Sequence, residues 1–297
     1  MGTLFKQIYR YTHPRAFRHN ENLWPHVKIC RALTGEISHF IYKNEPVPLI
    51  SLSELKQSFT GEILLTATGP SVNDVPFEKF PQMPAIGVNG AYFLNEKVKF
   101  SFYLIVDMGF IDNRPDIIQE IIKNETLILF TTAHGIVRII EKFHLKNIKC
   151  RLSIIEDISC KIYKAKIEDR DLPNKLSCND AIFFDKKGAG FNTDIRYGIF
   201  DAGTVVYWAL QILLFLGFER IYIIGLDMNN FDQPRFYETP SEKLPSMLSK
   251  KLDDIIIPSF RHASQVMKDR NVSVFNLSMS SAIEDDIFKK VSHNEIY

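Results

Sequence analysis

Glu62 to Ser71 reads EILLTATGPS. The apolar run EILLTA predicts a short buried strand. It gives way at once to Thr68-Gly69-Pro70-Ser71, a turn made of small residues. Gly69 predicts a backbone closed to other residues, or the near approach of a ligand. Pro70 suits the first turn of a helix, where a missing N–H costs little. Ser71 adds a hydroxyl, and free amides at a helix start suit a phosphate. Taken alone, the stretch is equally a plain strand-to-helix turn, since it is neither GxGxxG nor a Walker A loop.

Further along the chain the same alternation recurs. AIGV (Ala85 to Val88) predicts a strand ending at Asn89-Gly90, and FSFYLIV (Phe100 to Val106) a strand ending at Asp107. Pro115 to Lys123 predicts a helix, Leu127 to Phe130 a strand, and Ala202 to Leu216 an apolar helix. RIYII (Arg220 to Ile224) predicts a strand ending in Gly225-Leu226-Asp227, and NVSVFNL (Asn271 to Leu277) closes the series. Short apolar strands separated by helices predict an α/β fold: a Rossmann-like parallel sheet flanked by helices. Such sheets bind ligands at the carboxyl ends of their strands. Gly69, Pro70, Ser71, Asn89, Asp107 and Asp227 should therefore converge on one crevice, with Gly203 and Thr204 at the start of the apolar helix, whose dipole favours an anion.

Two regions depart from the pattern. About 156–196 is irregular and rich in charge, Asn and Gly, which predicts an inserted lid beside the crevice. Residues 1–48 form a basic arm, with Pro46-Val47-Pro48 as a linker to a single α/β domain over 49–297. In 1–43, seven Lys and Arg face two Glu, with Phe5, Tyr9, Tyr11, Phe17 and Trp24 interleaved. That mixture suits an anionic membrane surface as well as a solvated leader.

The 297 residues are 45% hydrophobic and 24% charged, ordinary for a globular chain. A net charge of +1 gives no global field that would call for nucleic acid. Cys30, Cys150, Cys160 and Cys178 form no CxxC pair and no zinc spacing, so no metal site is expected. The longest apolar stretch, Val205 to Phe218, is too short to span a bilayer. A cytoplasmic protein is expected, with peripheral contact to a membrane surface left open.

ATGPS, VNGAYFL (Val88 to Leu94), FYLIVD (Phe102 to Asp107) and FERIYIIGLDM (Phe218 to Met228) resemble, in order and spacing, the bacterial sialyltransferases of glycosyltransferase family 42. FNTDIRYG (Phe191 to Gly198), GLDMNNFDQPRFYE (Gly225 to Glu238), LPSMLSKKL (Leu244 to Leu252) and FNLS (Phe275 to Ser278) are closer to the lipopolysaccharide-core transferases that add a third Kdo. The resemblance covers roughly residues 60–280. It implies a GT-A-like variant fold and transfer of a 2-keto acid sugar, Kdo or sialic acid, from a CMP-sugar donor without a metal or other cofactor. It also implies a lipid-linked inner-core saccharide as acceptor. By position it assigns Arg235 and Tyr237 to the departing phosphate. The family 42 histidine base has no counterpart, because His262 does not superpose on it. Asp107, where the Kdo transferases carry Asp, becomes the expected general base. Asp227 would bond ribose or order its loop. A pterin pyrophosphokinase-like enzyme using ATP, which also has a GPS-like turn, and a non-catalytic nucleotide-binding regulator stay open at this point.

Overall fold

In the computed structural model, residues 3–229, 231–241, 243 and 248–296 are described. The chain opens with helix α1 (Thr3–Thr12), a 3-10 turn (Arg15–Asn20) and an antiparallel meander, β1 (Val27–Arg31), β2 (Ile37–Tyr42) and β3 (Glu45–Val47). Lys43 and Asn44, both at positive φ, make the two-residue turn between β2 and β3. Pro46 therefore sits in a strand rather than a linker. It is tolerated there because β3 is an edge strand and needs no N–H at that position. The arm is folded onto the rest: Arg31 pairs with Glu156 at 2.8 Å, and the Tyr163 hydroxyl donates to the Val27 carbonyl at 2.6 Å.

After the short α2 (Leu52–Leu55) come β4 (Glu62–Thr66), β5 (Ala85–Val88), β6 (Phe100–Ile105), α3 (Met108–Asn113), α4 (Pro115–Lys123), β7 (Ile128–Thr131), α5 (Ala133–Phe143) and β8 (Arg151–Ile154). Then follow α6 (Leu172–Leu176), the hairpin β9 (Ile182–Phe184) and β10 (Gly190–Asn192), α7 (Val205–Leu216), β11 (Arg220–Ile224), α8 (Ile257–Lys268), β12 (Ser273–Asn276) and β13 (Lys289–Lys290). Eight strands form one parallel sheet in the order β13-β12-β11-β4-β5-β6-β7-β8. The chain winds outward from β4 to β8, then returns to the other side of β4. The switch point, where such sheets bind ligands, thus lies between β4 and β11.

Burial explains the composition of the strands. Ile63 and Leu65 of β4 face the layer of α7 and α8, while Leu64 faces the layer of α4, α5 and the meander. Both faces are covered, so the strands read as unbroken apolar runs. α7 is apolar all round because it is buried all round. Its one polar interior residue, Gln211, is satisfied: its amide donates to the Phe200 and Tyr207 carbonyls and its carbonyl accepts from Asn192 and Phe200.

The stretch 156–196 holds the short α6, β9 and β10 between irregular turns, and none of its residues lines the crevice. Ile158, Leu172, Ile182, Phe191 and Ile195 are buried in the core beside α7, and Asp194 is tied by Lys56 and Arg196. Apolar residues at those positions fix it to the body of the fold. Described residues after β11 border the crevice instead, among them Leu226, Phe231, Arg235 and Lys251. No helix among the described residues is long and apolar enough to cross a membrane.

Candidate functional site

A cleft of about 650 Å³ opens at the carboxyl ends of β4, β5, β6 and β11. Its walls include Gly69, Pro70, Asn89, Asp107, Gly203, Thr204, Asp227 and Arg235. Of the residues expected at the site, only Ser71 and Tyr237 are not part of the wall.

The bareness of the first turn has a cause other than a ligand. Gly69 has φ −67° and ψ 158°, open to any residue. A Cβ there would meet the Gly225 carbonyl at 2.6 Å and strike the Asp227 carboxylate. Glycine is needed because the loop after β11 crosses so close, and the Gly69 amide donates to the Gly225 carbonyl at 2.9 Å. Pro70 opens a five-residue 3-10 helix, Pro70–Asp74, rather than an α-helix. Its start does not await a phosphate. Asp227 Oδ2 already accepts from the Ser71 amide at 2.9 Å, and the Ser71 hydroxyl bonds Asp227 Oδ1 and, at 2.7 Å, Ser278 Oγ. Asp227 thus orders the loop, the second of the two roles expected for it, and Ser71 is spent inside the protein.

Asn89 stands at the end of β5 with φ +46°. Its backbone carbonyl accepts from the Tyr103 hydroxyl at 2.5 Å, and that hydroxyl accepts from the Tyr92 amide at 2.7 Å. The turn is therefore rigid. Burial raises the Tyr103 phenol well above its ordinary range, so it remains a donor. The Asn89 side-chain carbonyl, Oδ1, is buried and has no partner. Among the described residues it is the one such orphan whose residue lines the cleft. A buried acceptor left unpaired costs free energy, and a ligand donor would recover it.

Gly90 follows for a packing reason: a Cβ there would enter the Tyr237 ring. Tyr237 lies over Gly90 and stacks on Phe93 with centroids 5.0 Å apart. Burial pushes its phenol up to about 12, so it holds its proton at neutral pH. It buttresses the Asn89-Gly90 turn from behind the wall.

Asp107 is exposed at the rim, and its Oδ1 accepts from the Gly109 amide at 2.8 Å, capping α3. Across the cleft, Gly203 (φ +76°) and Thr204 lead into α7, and the Thr204 side chain makes no capping bond. The Lys251 stem lies against Gly203, where a Cβ would come within 2.7 Å of its Cδ. Asp201 accepts from the Gly203 amide and the Trp208 indole, each at 3.0 Å.

Arg235 is held by Glu238: Nη1 donates to Oε1 at 2.6 Å and the Arg235 amide to Oε2 at 3.0 Å. The Glu238 side chain is fully buried. A guanidinium aimed by a buried carboxylate is set in place before any anion arrives. Lys243 and Lys251 add two cations to the same wall. Lysines in a charged segment look solvated in sequence, so neither had been expected here; the one hint was the KK pair in the Leu244 to Leu252 block. Asn230 and the first four residues of that block, 244–247, lie outside the described residues. His262 is set aside by its own contact, a 3.0 Å hydrogen bond to the Phe183 carbonyl in a partly buried position.

Known proteins are similar to this chain. The family model for the 3-deoxy-D-manno-octulosonic acid transferase WaaZ matches residues 48–294. A Salmonella typhimurium protein named "Probable 3-deoxy-manno-octulosonic acid transferase" is 28% identical over 251 residues, covering 79% of this chain and 88% of that protein. The crystal structure of the sialyltransferase CST-II in complex with trisaccharide acceptor and CMP aligns with a TM-score of 0.41 and 13% identity, over 80% of this chain and 88% of that one.

Proposed function

The chain belongs to the WaaZ family of 3-deoxy-D-manno-octulosonic acid transferases, and is thus a glycosyltransferase; from that footing we propose that it moves Kdo from CMP-Kdo to a sugar of the lipopolysaccharide inner core, without a metal. The observation that carries the reading is the orphaned Asn89 Oδ1 in the cleft at the sheet's switch point. An acceptor atom there suits the hydroxyl of a ribose or the exocyclic amine of a cytosine.

The reaction breaks the bond between the anomeric carbon and the phosphate oxygen, and the electron pair leaves with CMP. Charge therefore grows on the phosphate. Arg235, Lys243 and Lys251 on the wall, with the α7 N-terminus behind them, can meet that charge. Three side-chain cations support independence from a metal. The new bond forms from the acceptor hydroxyl oxygen to the anomeric carbon, and its proton goes to Asp107 at the rim. Asp227 and Tyr237 act as positioning residues, the first by fixing the β4 turn and the second by fixing Asn89.

The test is transfer itself. CMP-Kdo and a Kdo-bearing core acceptor, incubated with the protein in excess EDTA, should give product heavier by one Kdo and release CMP in equal amount. Absence of transfer, or transfer that requires added magnesium, contradicts the proposal.

A further inference from the structure

The N-terminal arm lies almost entirely outside the segment that the family match covers, and the reaction gives it no task. Its place in the fold is informative. His134, in the first turn after β7, contacts the His19 carbonyl at 3.0 Å, and His19 contacts the Lys161 carbonyl after β8 at 3.0 Å. The Arg15–Asn20 turn, which carries α1, therefore stands at the carboxyl end of the sheet, where the cleft opens. β7 and β8 are three and four places from β4, about 15–20 Å away at the usual strand spacing.

The surface of α1 is apolar on its outer side. Tyr9 points inward and is buried, whereas Leu4, Ile8 and Tyr11, at helical spacing, are 65%, 37% and 90% exposed. Phe5, also partly exposed, packs edge-on against Trp24 and His26; of the remaining exposed large apolar side chains, Phe93 follows β5, Met279 follows β12 and Ile255 precedes α8, at the same end of the sheet, with Leu33 apart in the meander. Around α1, Arg10 is paired with Glu21, while Lys6, Arg15, Arg18 and Lys164 form no ion pair among the described residues. Glu21 is the carboxylate that Arg10, Lys6 and Arg18 share, so cations stay in excess, and an apolar stripe flanked by such an excess complements an anionic lipid surface, which takes up both at once.

We propose that α1 lies on an anionic membrane surface through Leu4, Ile8 and Tyr11, with Lys6, Arg15 and Arg18 on the headgroups, and so turns the cleft mouth toward that surface. A lipid-linked acceptor would meet the cleft without leaving its bilayer; this last clause rests on the function proposed above, while the binding itself does not.

The test is vesicle co-sedimentation of the full chain without donor or acceptor. Binding to phosphatidylcholine vesicles containing phosphatidylglycerol should exceed binding to phosphatidylcholine alone by about tenfold or more, and should weaken with salt. I8E/Y11E and R15E/R18E should each lose most of that binding while keeping the wild-type melting curve, since all four side chains are on or near the surface. Equal binding to both vesicle types, no binding, or wild-type binding by I8E/Y11E would overturn the proposal. So would a wild-type dimer in light scattering that I8E/Y11E abolishes, because the face would then belong to a second copy of this chain. Failure here with normal transfer to a soluble acceptor refutes the docking surface alone; failure of transfer with normal vesicle binding refutes the assigned reaction alone.

Discussion

Asp227 and Ser71, 156 residues apart, join the two strands that flank the switch point: Asp227 Oδ2 accepts from the Ser71 amide at 2.9 Å. Asp227 is 4% exposed, and it also receives the Ser71 hydroxyl. The floor of the cleft is thus a contact between the loops after β4 and β11, and the glycine at position 69 exists to allow it. Asp227→Ala removes two charge-assisted bonds and leaves a partly buried amide unpaired. That costs about 2–4 kcal/mol. The melting temperature should drop by roughly 5–10 °C, read by differential scanning calorimetry. Gly69→Ala should do at least as much through its clash.

Asn89→Gly separates binding from folding. Glycine relieves the positive φ and deletes the unpaired acceptor, so the melting temperature of the free protein should hold or rise. Affinity for CMP should fall about tenfold or more, a change of at least about 1.4 kcal/mol. A purely structural role for Asn89 would instead lower the melting temperature and spare CMP.

Asp107→Asn tests the base. Asparagine caps a helix nearly as well as aspartate, so α3 and the fold should persist. Loss of a general base should lower kcat by about 10²–10⁴ with CMP affinity unchanged. Near-normal turnover would remove Asp107 from the mechanism.

Tyr237 makes a prediction in pH. Its folded value, raised to about 12 mainly by burial, lies above the 10.0 of a free phenol. The neutral phenol is therefore favoured by folding. This contribution, about 3 kcal/mol at most, is complete below pH 10 and is lost as pH rises toward 12. Tyr237→Phe keeps the ring and lacks the ionisation. In urea melts between pH 9 and 12, wild type should lose stability faster than the variant. Between pH 6 and 9 the two should show the same shape of rate profile, since the phenol does not titrate there.

The parts of the fold that read directly from sequence are those governed by local chemistry. β4, β5, β6 and β11 are covered on both faces, so each is an apolar run closed by a turn, and their ends locate the cleft. α4 begins at Pro115 as its proline indicates. α7 begins at Val205, three residues after the apolar run starts, because Gly203 turns the chain with φ +76°. Features set by distant contacts were not legible. Gly69 looks like a phosphate glycine until Gly225 and Asp227 are brought against it. β8, four residues beginning with an exposed arginine, has no signal of its own apart from its place beside β7. Charge in 156–196 suggested a lid, whereas Glu156 and Asp194 are consumed in ion pairs with Arg31, Lys56 and Arg196 that pin the segment down. Lys243 and Lys251 could not be told from surface lysines in sequence, because only the tertiary fold brings them to the cleft wall.

The central claim is that the cleft between β4 and β11 seats cytidine monophosphate. Isothermal titration of the protein with CMP, UMP, GMP and ATP in EDTA tests it most directly. The account predicts one site per chain for CMP, preferred over the other three nucleotides, weakened in Asn89→Gly and in Arg235→Ala. CMP bound no better than ATP, or with full strength by both variants, would contradict it.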